Sequence, residues 1–67
     1  MVSPAVSSSV PQRVLIVNDD AFELSSLSAA LRLHSVNVIG EAQTIPIAQN
    51  LFRSLQPDVV IIDTAGR

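Results

Sequence analysis

Arg13-Val14-Leu15-Ile16-Val17-Asn18-Asp19-Asp20 decides how this chain of 67 residues is read. Four consecutive β-branched or aliphatic residues, bounded by polar ones, match a strand covered on both faces, as in a parallel sheet. A second run, Val59-Val60-Ile61-Ile62, has the same character and ends in Asp63. A carboxylate placed where such a strand ends lies at the carboxyl edge, where open α/β sheets bind their ligands. Two strands that deliver acids to one edge suit a cation, phosphate chemistry, or both.

The residues between the two runs supply the crossovers. Asp20 can cap a helix, because its carboxylate can accept an orphan N–H of the first turn. Leu24, Leu27 and Leu31 then form a helical stripe, which predicts a helix over Ala21–His34. Val36, Val38 and Ile39 read as the next strand, closed by Gly40-Glu41-Ala42. Thr44 is a candidate N-cap, and Pro46 is tolerated in a first turn. Ile47, Ala48, Leu51, Phe52 and Leu55 keep helical spacing, which predicts a helix over 45–55. Pro57 ends it and forces an extended entry into a strand over 59–63. Residues 1–12 are rich in Ser, Pro and Val without any period, and read as a disordered lead-in.

The order βαβαβ implies parallel strands joined by right-handed crossovers. The expected fold is α/β and flavodoxin-like, a three-layer αβα arrangement truncated to three parallel strands in the order 2-1-3. Strand 1 is then central, the helices lie on opposite faces, and Val14, Ile16, Val60 and Ile62 are expected to be buried. Strand 3 becomes an exposed apolar edge. So small a core leaves little net stability, so the isolated polypeptide is expected to be partly unfolded or to self-associate as a homo-oligomer.

Composition removes several function classes. The net charge is −2, lysine is absent, and the four arginines (Arg13, Arg32, Arg53, Arg67) are scattered. No basic stripe exists to follow a nucleic-acid backbone, so no direct nucleic-acid contact is expected. Phe22 and Phe52 are the only aromatics, too few for a base-stacking platform. There is no cysteine, which excludes disulfides and thiolate metal sites. No apolar stretch approaches a membrane span, and the amino terminus lacks the pattern of a signal peptide. The chain reads as a soluble cytoplasmic protein.

Three segments together resemble the first half of a response-regulator receiver domain of two-component signalling. They are Arg-Val-Leu-Ile-Val-Asn-Asp-Asp at 13–20, Val-Ile-Gly-Glu-Ala at 38–42 and Gln-Pro-Asp-Val-Val-Ile-Ile-Asp at 56–63. The step of 44 residues from Asp19 to Asp63 is also that of the family. The second segment is most similar to receivers that precede a helix-turn-helix output domain. The resemblance implies that 13–67 is a partial receiver domain, a fragment of a longer regulator, and not an enzyme. It implies that Asp63 is the phosphoacceptor, charged by a sensor histidine kinase. It further implies Mg²⁺ held by the acids that end strand 1, among Asp19 and Asp20, by Asp63 and by the backbone carbonyl of Ala65. The implied chemistry is sound. Clustered carboxylates repel, and Mg²⁺ prefers few carboxylates, waters and phosphate oxygens.

The chain departs from the family in stated places. Receivers end strand 1 with two adjacent acids. If Val17 ends the strand, as the apolar run suggests, those positions are Asn18 and Asp19, and Asp20 is the helix cap. In the other register Asp19 and Asp20 are the pair. The first places Phe22 and Leu27 where the family's first helix is apolar. Thr64-Ala65-Gly66-Arg67 replaces the family's usual apolar residue and Met-Pro. Strands 4 and 5, the switch Ser/Thr and the family's lysine do not occur in these residues.

Three other readings compete. A pseudo-receiver that binds partners without phosphorylation accommodates Asn18 and the missing lysine. Asp-Val-Val-Ile-Ile-Asp-Thr-Ala-Gly-Arg at 58–67 resembles the Mg²⁺-associated motif of signal-recognition-particle GTPases, but the required Gly-rich loop with its lysine is absent. Asn18-Asp19-Asp20 resembles a metal-dependent nucleotidase motif, in which glycine follows where Ala21 stands here. His34 suits a helix C-terminus better than a phosphodonor or metal role. Glu41 reads as a solvated loop acid.

Overall fold

A computed structural model describes residues 12–63. Residues 1–11 of the lead-in expected over 1–12, and the Ala65 carbonyl, lie outside the described residues. The elements are β1 (Arg13–Asn18), α1 (Ala21–Leu33), β2 (Asn37–Ala42), α2 (Ile45–Leu55) and β3 (Val59–Asp63). They form a small α/β fold with one three-stranded parallel sheet in the order β2-β1-β3. This matches the expected order and is compatible with half of a flavodoxin-like fold.

β1 is central and dry. Val14 and Ile16 pack with Leu24, Val38 and the half-buried Leu27 and Leu31 on the α1 side. Leu15 and Val17 pack with Ala42, Ala48 and Leu51 on the α2 side. Alternation along one strand therefore feeds two separate cores, with one helix on each face. The leucine stripe of α1 does what its spacing predicts.

The expectation for β3 needs correction. Val60 is only half-buried, and Ile62 is 59% exposed. β3 is the outer strand, and α2 lies across β1 and β2. The same apolar run that is fully covered in β1 is thus half-covered at the sheet's margin. Phe22, in the first turn of α1, also projects outward and is 79% exposed.

Two boundaries also differ from expectation. α1 ends at Leu33 and His34 is its C-cap. Ser35 takes a left-handed conformation (φ 66°), and its N–H donates to the Arg32 carbonyl while the Val36 N–H donates to that of Leu31. This Schellman closure satisfies the last carbonyls and leaves Val36 against the α1-side core, outside the strand. β2 instead runs on through Gly40-Glu41-Ala42. Gly40 allows this because a Cβ there would stand 3.1 Å from Leu55 Cδ1 and 3.2 Å from Leu15 Cδ1. The missing side chain lets α2 approach β2.

β2 carries one extra residue. Val14 pairs with Val38 but Leu15 pairs with Gly40, so Ile39 is bulged out of register. Glu41 is thereby a strand residue on the α1 side, not a loop acid. It accepts a hydrogen bond from Ser28 Oγ (2.5 Å) and stands 3.6 Å from Arg32 Nη2.

At the amino edge, Arg13 ties the entry of β3 to β1. Its backbone N–H donates to Asp58 Oδ2 (2.9 Å) and its guanidinium to the Gln56 carbonyl (2.8 Å). Among the described residues, no helix is long and apolar enough to cross a membrane.

Candidate functional site at the carboxyl edge

β1 and β3 end side by side. Asn18 is the register partner of Asp63, so their backbones lie about 5 Å apart. The next residue, Asp19, is exposed at the bend that leads to α1. Across from them, Gln43, Thr44 and Ile45 bring the chain from β2 into α2. Together these residues line a cleft of about 290 Å³ that holds both Asp19 and Asp63. The cleft lies at the carboxyl ends of two adjacent parallel strands, the edge where open α/β sheets place ligands.

Asp20 is not among the lining residues. Its Oδ1 accepts from the Glu23 N–H at 3.0 Å, and it is the N-cap of α1. β1 ends at Asn18, one residue beyond the Val17 end on which the first register rests, and Asp20 caps α1 as that register expects. Asn18 itself is buried, with 1% exposure. Its Oδ1 accepts from the Asp20 N–H (2.8 Å), and its Nδ2 faces Glu23 Oε1 at 3.5 Å. The amide orientation follows from chemistry, since only the oxygen can meet the N–H of Asp20.

Asn18, Asp20 and Glu23 therefore close a ring of contacts at the bend that contains Asp19. The sequence reading found the acids but missed this ring. The available signal was Asp20-Ala21-Phe22-Glu23, a cap followed three residues later by glutamate. In a capping box that glutamate reaches back to the N–H of the cap residue. Here Asn18 has taken that N–H, and Glu23 turns to the Asn18 amide instead. On the opposite wall, Thr44 Oγ1 accepts from the Ile47 N–H at 3.3 Å, so it too serves its helix.

A cation held here would rely on the carboxylates of Asp19 and Asp63. Among the described residues, no group of three or more His, Cys, Asp or Glu side chains is arranged to hold a metal ion. Two carboxylates, completed by waters and phosphate oxygens, fit the preference of Mg²⁺ and not that of a metal caged by protein. His34 lies at the C-terminus of α1, the opposite end of that helix from the cleft.

No protein-family model matches the chain, and a comparison with curated proteins finds no match.

Proposed function

We propose that this chain is the first half of a receiver domain, in which Asp63 accepts a phosphoryl group from a histidine kinase. The observation that carries the reading is the convergence of Asp19 and Asp63 in one cleft at the carboxyl edge of adjacent parallel strands. In the transfer, a carboxylate oxygen of Asp63 forms a bond to phosphorus as the bond from phosphorus to the donor imidazole nitrogen breaks. The electron pair of that bond returns to the imidazole. Bound Mg²⁺ would neutralise the charge on the transferring oxygens. Asp19 and Asp63 are the residues that would hold it, and the walls formed by Gln43, Thr44 and Ile45 would limit the approach of the donor.

The test is labelling of an intact receiver that contains these residues with radiolabelled acetyl phosphate, with and without Mg²⁺. Label is expected on the wild type with Mg²⁺, absent from Asp63→Asn and reduced in Asp19→Asn. Label that survives Asp63→Asn would place the acceptor elsewhere.

A second reading has its own observation. Asn18 supplies no acid and its amide oxygen is already engaged, while the Asp20 carboxylate serves α1. A site left with so few carboxylates suits a pseudo-receiver that binds partners without phosphorylation. Failure of acetyl phosphate and of a histidine kinase to label any residue would favour it.

A further inference from the structure

We propose that Asn18 and Glu23 are a matched pair that aims Asp19 into the cleft, so that the residue at 18 is a positioning residue. The bend between β1 and α1 is fixed from inside by Asn18. Its oxygen accepts from the backbone two residues on, across Asp19, an Asx-type turn that sets the direction of the intervening residue. That bond commits the other end of the amide to donate, and Glu23 Oε1 is what it faces. At 3.5 Å this contact is long. Its importance lies in sign: a donor faces an acceptor at a position with 1% exposure.

An acid at 18 reverses that sign. Asn18→Asp keeps one oxygen on the Asp20 N–H and turns the other against the Glu23 carboxylate, acceptor to acceptor and charge to like charge. The oxygen left without a donor at the buried position 18 carries most of the cost, while the repulsion is softened because Glu23 is exposed. Asparagine at 18 is thus matched to an acceptor at 23, and an acid at 18 would call for a donor there. Restoring the acid alone is expected to damage the turn before it strengthens any cation site.

The experiment is a double-mutant cycle on the full chain, read as helical circular dichroism through a urea titration at one fixed chain concentration without metal. Asn18→Asp is expected to lower the folding equilibrium by about tenfold or more. Glu23→Gln alone should change it little, because the glutamine oxygen still accepts from Asn18. Asn18→Asp/Glu23→Gln should recover most of the loss, since the new amide donates to the new carboxylate. Additive effects would overturn the pair. Should Asn18→Asp not fold at all, recovery of folding in the double variant still decides the matter.

Positioning is read separately by hydrogen exchange. In Asn18→Ala the Asp20 amide should exchange at least about tenfold faster, with the Leu15 and Ile16 amides unchanged, as expected when one local hydrogen bond is lost. Unchanged exchange at Asp20 would overturn the positioning role. The consequence for the cation rests on the receiver reading and has its own measurement, Mn²⁺ broadening of the Asp19 and Asp63 resonances. Asn18→Ala should weaken Mn²⁺ binding although both carboxylates remain. If the wild type takes up no Mn²⁺, the receiver reading fails, while the cycle and the exchange rates still decide the pair.

Discussion

Asp20 was a candidate ligand by its place in a run of acids, and one oxygen of its carboxylate caps α1. Losing such a cap costs about 1 kcal/mol. Asp20→Ala is therefore expected to reduce stability by that amount, and Asp20→Asn to stay near the wild type, because an amide oxygen can accept from Glu23 equally well. Urea midpoints of the two variants check this. Equal losses in both would mean that the negative charge near the helix terminus matters more than the hydrogen bond. The candidate acids at 19 and 63 were legible because each follows an apolar run and strand ends share an edge. The engagement of Asn18 was not legible in the same way. It depends on which atom of a side chain meets a backbone N–H two residues on, and on Glu23 returning to the turn from the helix. Hydropathy contains neither fact.

Elements were more readable than their margins. α2 and β3 occupy the expected residues, since Thr44 and Pro46 mark the start of α2 and Pro57 forbids its continuation. β2 was misjudged at Gly40, which resembles a strand terminator until α2 is seen to pack there. That contact yields a prediction. Gly40→Ala places a carbon 3.1 Å from Leu55 Cδ1, which the flexible leucine ends can accommodate with small shifts. Gly40→Val adds two more carbons in the same gap and is expected to cost roughly 1–3 kcal/mol through overpacking. Chemical denaturation should rank the two in that order. A neutral valine would show that the approach of α2 is not set at this position. The edge of β2 also has an occupant, since Arg32 donates to the Val38 carbonyl at 3.3 Å.

At the scale of the whole molecule, the apolar surface is unevenly covered. β3 presents Val60 and Ile62 beside Phe52, and with Leu15, Val17 and Ala48 they line an open groove of about 350 Å³. β3 opens with four aliphatic residues in succession, 59–62, and its one charge, Asp63, stands only at its end, with no proline or bulge to discourage pairing. The sequence could not separate β1 from β3 here, because coverage is a property of neighbours and the two runs are nearly identical. The polypeptide of these 67 residues is expected to self-associate with rising concentration in sedimentation experiments. Ile62→Lys, on the exposed face of that strand, should shift it toward the monomer. A wild-type monomer with a cooperative thermal transition would contradict this expectation.

The bulge at Ile39 puts β2 out of phase with itself. Val38 and Ala42 are four positions apart, an even count that in a regular strand means one shared face. Here Val38 belongs to the α1-side core and Ala42 to the α2-side core. Positions that look equivalent by alternation thus report to different halves of the interior, separated by the thickness of the sheet. The length of β2, as much as its composition, carries the instruction for which helix each of its side chains will meet.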